Sequence, residues 1–341
     1  MGAPIYREGT GGVGTKHPSR FFVIRTSGTP RKREHQSTFR RIIGKMNELF
    51  FSPLMRRGNS GRLIRRMVWE AAKSCALGGL YPGRIEKHWF RVERLDMPLP
   101  RLGAAFDGAK LVHISDVHCS LIVLERYLRQ CVDAINELDV DFVAVTGDFI
   151  THGRYYARRV ARILGKLSPR VATLACLGNH DYGVFFPSRL GDKHGLADYI
   201  AAELSHQDIF VMLNESRVFR RGSAAIQFVG LEDLWSSRYD VKRAFEQARR
   251  DLPTIALVHN PDAAHDAARH GADLVLAGHT HGSKLQRYMP THTDFHAGMY
   301  PLGDNKHLYV TRGISYGRRV NVNARPEITV FTLRGDSDAR R

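Results

Sequence analysis

The sequence predicts an α/β domain behind a basic helical extension, on three observations. From Lys110 onward, short apolar runs alternate with stretches of helical period, as layered α/β folds do. Five of those runs close on oxygen- or imidazole-bearing side chains. The net charge of +17 sits almost wholly in the first third: residues 1–105 hold 21 Lys and Arg against 7 Asp and Glu, and residues 106–341 hold 30 against 27.

At 341 residues and 43% hydrophobic content the chain is long and apolar enough for a full α/β core plus an appendage. Cys75, Cys119, Cys131 and Cys176 are scattered singly with no C-x-x-C. That usage points to a reducing compartment and no disulfide framework. No run of about 18 uncharged apolar residues occurs, so no spanning helix is expected.

Taken in order, residues 1–36 are Gly-, Thr- and Arg-rich without a sustained period and read as a mobile basic arm. Residues 37–105 read as a basic amphipathic helical extension. Phe39, Ile42, Ile43, Met46, Leu49 and Phe50 share one helix face, with Arg40, Arg41 and Lys45 off it; Leu63, Ile64, Met67, Val68, Ala71 and Cys75 repeat the pattern. Such helices either pack on the body of a protein as an N-terminal layer or lie on an anionic membrane. A cytoplasmic protein is expected, and the second alternative makes it peripheral on the inner face of the membrane. Arg40-Arg41 and Arg65-Arg66 invite a twin-arginine export reading, but Glu48, Glu70 and Lys73 argue against it, since they interrupt what would have to be a clean apolar region.

The runs that follow are Leu111–Ser115, ending in Asp116-Val-His118; Phe142–Thr146, ending in Gly147-Asp148; and Val171–Leu177, ending in Gly178-Asn-His-Asp181. Between the first two, Leu121, Leu124, Leu128, Val132, Ile135 and Leu138 predict a helix. Asp148 follows Asp116 by 32 residues and Asn179 follows Asp148 by 31, each close to one β-α-β unit. Crossovers of that length bring strand ends to one sheet edge, the edge where open α/β sheets bind ligands. Thr254–Val258 then ends in His259-Asn-Pro261, and Asp273–Ala277 ends in Gly278-His-Thr-His-Gly282. Each end alone has a plain reading: Asp148 a helix cap, Asn179 a turn, His259 a satisfied core histidine. Five together point to one shared site. Histidines two apart on extended backbone face the same way, and neutral imidazole is the commonest metal ligand.

In this order the motifs resemble the calcineurin-like metallophosphoesterase superfamily, over roughly residues 108–334. Gly278-His-Thr-His-Gly282, Gly298-Met-Tyr300 and Arg325-Pro-Glu-Ile328 are similar to one bacterial branch, which includes small phosphodiesterases and a UDP-2,3-diacylglucosamine pyrophosphatase of the lipid A pathway. Ser283 stands where that branch usually has a second glycine. The resemblance implies two mixed β-sheets packed as a sandwich with helices outside, over residues 106–334, and a tail from 335. It implies two divalent metal ions: one held by Asp116, His118, Asp148 and His281, the other by Asp148, Asn179, His259 and His279. His180 would serve as general acid or hydrogen-bond donor to the leaving group, with Asp181 orienting it; local packing is the alternative for Asp181 and Cys119.

A mixed N/O set without thiolate suits manganese, iron or zinc and does not choose among them; manganese is the expected ion. Two such ions about 4 Å apart lower the pKa of a bridging water and draw charge off phosphoryl oxygens. The expected function is therefore hydrolysis of a phosphodiester or pyrophosphate bond, of a lipid-like substrate such as UDP-2,3-diacylglucosamine. The alternative is a general phosphodiesterase or nuclease whose basic arm tracks nucleic acid. The continuous aliphatic stripes favour the amphiphile over nucleic acid, and the complete ligand set argues against an inactive binding module.

Overall fold

The computed structural model describes residues 90–185, 195–282, 294–315 and 325–335. The arm expected over 1–36, both amphipathic helices expected between 37 and 89, Ser283 and the tail from 336 lie outside the described residues.

Two six-stranded mixed sheets form the fold. The first runs β1 (Arg91–Pro98), β12 (Glu327–Arg334), β2 (Lys110–Ile114), β3 (Phe142–Thr146), β4 (Ala172–Cys176), β5 (Ile209–Val211). The second runs β10 (Gly298–Pro301), β11 (His307–Val310), β9 (Leu274–Ala277), β8 (Thr254–Leu257), β7 (Ala224–Gly230), β6 (Glu215–Arg221). Strands β2 to β5 are mutually parallel, as are β7, β8, β9 and β11. The antiparallel pairs are β12 with β2, β6 with β7 and β10 with β11. The five sequence-predicted runs are β2, β3, β4, β8 and β9.

Period-two alternation explains why two sheets must stack. Leu111, Phe142, Ala144, Leu174 and Cys176 of the first sheet share one buried cluster with Phe228, Ile255, Leu257, Leu274 and Leu276 of the second. The intervening residues point outward: Val112, Ile114, Val143 and Val145 pack with one set of helices, and Ala256, Val258, Val275 and Ala277 belong to a third cluster. Strands buried on both faces read as continuous apolar runs, which is why these five were legible. Each fully buried large side chain among them contributes about 1.5–3 kcal/mol.

Helices α1 (Glu125–Asn136), α2 (Ala157–Leu164) and α3 (Leu196–Ser205) supply the outer layer of the first sheet, and α4 (Val241–Phe245) and α5 (Ala264–His270) that of the second. Leu128, Cys131, Val132 and Ile135 bury the inner face of α1 at spacings of three and four. The helix starts later than its apolar pattern predicts. The Ser120 hydroxyl oxygen accepts the amides of Ile122 (3.3 Å) and Val123 (3.2 Å), a local turn that competes with helix and leaves Leu121 82% exposed.

The helical extension expected over 37–105 is corrected at its C-terminal end. Arg91–Pro98 is a strand that pairs in parallel with β12, from Arg91 opposite Glu327 to Pro98 opposite Arg334. Leu99, Leu102 and Phe106 follow it into the inter-sheet core. The segment hid from the pattern because an edge strand buries little: charged residues separate Val92, Leu95 and Met97. All described residues fall within one compact unit. Among them, no helix is long and apolar enough to cross a membrane.

Candidate metal centre

Register decides which side chains can meet. Ile114 lies opposite Val145, and Val145 opposite Ala175, so the loops after β2, β3 and β4 leave one edge together. Pairing continues past the strands: the Asp116 amide donates to the Gly147 carbonyl (3.0 Å), and the His118 amide to that of Asp148 (2.8 Å). On the second sheet the Gly278 amide donates to the His259 carbonyl (3.0 Å). Two bonds stitch the sheets: His259 Nδ1 donates to the Thr146 carbonyl (2.7 Å), and the His279 amide to Asp116 Oδ2 (3.1 Å).

The result links six of the seven expected ligands, Asp116, His118, Asp148, His259, His279 and His281, through atoms 3.2–3.4 Å apart. On one side Asp148 Oδ2 lies 3.4 Å from His118 Nε2, which lies 3.2 Å from His281 Nε2, itself 3.3 Å from Asp116 Oδ1. On the other side the same Oδ2 lies 3.3 Å from His259 Nε2, which lies 3.3 Å from His279 Nδ1. Bonds of about 2.0–2.2 Å to one ion place neighbouring ligand atoms about 3.0–3.5 Å apart. Each spare carboxylate oxygen is held by backbone: Asp148 Oδ1 accepts the His180 amide (3.0 Å), as Asp116 Oδ2 accepts that of His279. Asn179 Nδ2 donates to the Val184 carbonyl (2.7 Å), so its Oδ1 is the free acceptor, buried and without a hydrogen-bond partner among the described residues.

Backbone strain concentrates on the same residues. Asp116, His118, Asp148, His279 and His281 all adopt φ between 46° and 68°, the left-handed region that side chains usually avoid. These turns fold the chain tightly enough to aim successive side chains at one point. Gly278 is required by closeness: a Cβ there would stand 2.6 Å from Asp116 Oδ2.

Electrostatics fit a cation. Burial acts to raise the Asp148 carboxyl, but the facing His259, His180 and His118 imidazoles outweigh it and hold the group well below the usual carboxylate range. Burial acts to lower His259, yet Asp148, Asp116 and Asp233 carry it up to about 10. The acids facing His259 thus favour a positive charge at this point, which a divalent ion can supply. Burial and the charge on His259 press His279 down to about 3, the neutral form a ligand needs. Because a carbonyl only accepts, the His259 bond to Thr146 fixes its tautomer and leaves Nε2 as the ligating atom.

His180 stands at the rim. Its Nδ1 donates to the Thr151 carbonyl (2.6 Å), and its Nε2 lies 4.0 Å from Asp148 Oδ2. Asp181 does not orient it, contrary to the expectation. The buried Asp181 carboxylate accepts the amides of Phe149 (3.0 Å), Ile150 (3.3 Å) and Gly178 (2.9 Å), tying the β3 loop to the β4 loop. Free and buried Cys119, Cys131 and Cys176 take no part.

Several participants were not legible in sequence. Gly313 lies against Asp116, with Asp116 Cβ only 2.6 Å from where a Cβ of its own would stand. Trp235 packs edge-on against His279 with centroids 4.7 Å apart. Thr146 and Thr151 act through backbone carbonyls, which any residue carries, so no side-chain motif could reveal them.

A family model described as calcineurin-like phosphoesterase matches residues 109–283, the span that carries every expected ligand. This chain belongs to the calcineurin-like phosphoesterase family. Within the family it is similar to the UDP-2,3-diacylglucosamine pyrophosphatase LpxG of Chlamydia trachomatis, at 27% identity over 74% of this chain and 92% of the relative. It is 30% identical to the uncharacterized metallophosphoesterase YkuE of Bacillus subtilis, over 77% of this chain and 93% of that one. It is 28% identical to the phosphodiesterase YaeI of Escherichia coli, over 80% and 98%. The chain is thus a metal-dependent phosphoester hydrolase, and its Asp and His clusters are where a calcineurin-like phosphoesterase can hold two metals.

Proposed function

We propose that this phosphoesterase hydrolyses a phosphodiester or pyrophosphate bond at two divalent ions, manganese first among the candidates and iron or zinc next. Asp116, His118, Asp148 and His281 would hold one ion, and Asp148, Asn179, His259 and His279 the other. One observation carries the reading: a single carboxylate oxygen of Asp148 faces donor atoms on both sides, at 3.4 Å and 3.3 Å. When bound, such a pair supplies hydroxide at neutral pH and neutralises phosphoryl oxygens. The chain's own part is positional and acid-base. With His180 Nδ1 committed to the Thr151 carbonyl, Nε2 is the nitrogen that delivers a proton to the leaving oxygen. Phe185, edge-on to that ring at 4.8 Å, covers one side of it.

The substrate we favour is an amphiphilic nucleotide such as UDP-2,3-diacylglucosamine, taken at the cytoplasmic face of an anionic membrane. The likeness to LpxG and the aliphatic stripes at Phe39–Phe50 and Leu63–Cys75 support it. The test is the full-length protein with added manganese, assayed on bis-p-nitrophenyl phosphate, UDP-2,3-diacylglucosamine, a phospholipid and single-stranded DNA. The expected ranking puts the diacylated nucleotide first. DNA in first place would replace the lipid reading by the nuclease one, and inactivity on all four would overturn the phosphoesterase mechanism.

A further inference from the structure

Eight large hydrophobic side chains are exposed among the described residues, and five of them lie in the loops that carry the metal centre. Leu121 (82%), Ile122 (60%) and Leu124 follow His118, Tyr155 (73%) follows Asp148, and Phe185 follows His180. The other three, Val171, Phe210 and Met299, stand on or just before strands. The loops are joined: Cys119 bridges to Ile150, and the Thr151 hydroxyl donates to the His118 carbonyl (3.3 Å). Arg159 links Tyr155 to the start of α1. Its guanidinium lies 5.3 Å from the Tyr155 ring centre, and its Nε is 3.7 Å from Glu125. An apolar rim therefore borders the centre on the side of the first sheet.

Arginines flank that rim along the chain. Arg126 and Arg129 stand in the first two turns of α1, Arg154 precedes Tyr155 and stacks on Tyr199 of α3 at 4.1 Å, and Arg158 and Arg159 open α2. The acids among them are Glu125, which pairs with Arg129 and Arg159, and Glu203, which pairs with Arg158. Arg129 and Arg159 share the single carboxylate of Glu125, so positive charge exceeds negative beside the protruding aliphatic tip. Guanidinium groups bind phosphates bidentately, and exposed apolar tips gain by leaving water.

We propose that the loop Ser120–Leu124, with Tyr155 beside it, seats on an anionic phospholipid surface. Leu121 and Ile122 insert between headgroups while the flanking arginines pair with lipid phosphates. The seat turns the metal centre toward the interface, so an amphiphilic substrate reaches it without leaving the membrane. This rests on the lipid-substrate reading for its purpose, whereas vesicle binding itself requires no turnover.

The test uses the full-length protein and its variant carrying Leu121→Ser and Ile122→Ser together, both sites being exposed and outside the core. Co-sedimentation is measured with vesicles of phosphatidylglycerol and phosphatidylcholine and with phosphatidylcholine alone. The expected result is salt-sensitive binding to the anionic vesicles that falls about 10- to 100-fold in the variant, with hydrolysis of bis-p-nitrophenyl phosphate unchanged. Equal sedimentation of variant and parent would overturn the proposal and assign membrane contact to the segment before residue 90. Failure of the parent to bind anionic vesicles at low salt would overturn it as well. Absence of diester hydrolysis in the parent would sink the phosphoesterase mechanism instead and leave the vesicle result standing.

Discussion

At Asp148 a single carboxylate oxygen faces donor atoms on both sides, while its other oxygen is held by the His180 amide. Replacing it with Asn keeps size and the amide contact but removes the charge. Asp148→Asn is therefore expected to stay folded by circular dichroism, bind fewer than two metal ions per chain and lose turnover; near-normal activity would contradict a shared ligand. His180 differs, since its ring nitrogens face the Thr151 carbonyl and the rim. His180→Ala should keep the metal stoichiometry and lose about two to four orders of magnitude in rate. A parallel fall in bound metal would make it a ligand. His113 belongs to stability: buried beside Thr146 (2.8 Å), its imidazole is lowered by desolvation from 6.5 to about 3. The unfolded chain takes that proton first. The stabilising contribution is thus complete above about pH 6.5 and declines as pH falls toward the folded value. Between pH 7 and pH 5 the parent should lose about 2 kcal/mol more stability than His113→Gln in urea titrations. Equal losses would mean that His113 keeps its normal affinity for protons.

Among the elements, short parallel strands do the aiming. The runs of β2, β3 and β4 end in register, as do those of β8 and β9, and tight left-handed turns after β2, β3 and β9 convert those ends into directed side chains. The turn after β9 shows how little space remains. Gly278→Ala would drive a methyl group against Ser115 and Asp116, so it should cost about 1–3 kcal/mol and weaken metal binding together. Unchanged melting and metal content would refute that closeness. At the other end of the chain, β1 belongs to the sandwich. A chain beginning at residue 90 should fold, whereas one beginning at residue 106 loses β1, Leu99 and Leu102 and exposes β12 as an unpaired edge. The shorter chain is expected to melt lower or aggregate, measured by thermal unfolding and light scattering; equal behaviour would make β1 dispensable.

For the whole molecule, charge and catalysis are divided along the chain. Residues 1–105 carry an excess of 14 positive charges, and the remainder an excess of 3. If the segment before residue 90 serves attachment, the chain starting at residue 90 should retain its rate on bis-p-nitrophenyl phosphate. It should bind anionic vesicles less tightly, through the Leu121–Ile122 rim alone, and lose more activity on a diacylated substrate than on the soluble diester. Equal slowing on both substrates would make the segment a structural layer.

Much of the core and its ligand residues is legible in the amino-acid order of residues 90–335. Runs buried on both faces are continuous in sequence, and ligand residues at their ends are chemically distinctive, so the α/β class, five of the twelve strands among the described residues and the metal-ligand candidates can be read directly. The edge strand β1 cannot, because its partner β12 lies more than two hundred residues away and its own pattern is mostly charged. Nor can the role of Asp181, which neighbours His180 in sequence yet turns toward the amides of Phe149, Ile150 and Gly178. Sequence alone determined which chemistry the chain can carry, since that resides in side-chain type and spacing. Only the tertiary structure decided which atoms meet, because register, left-handed turns and backbone carbonyls act between segments distant in the chain and leave no side-chain signature.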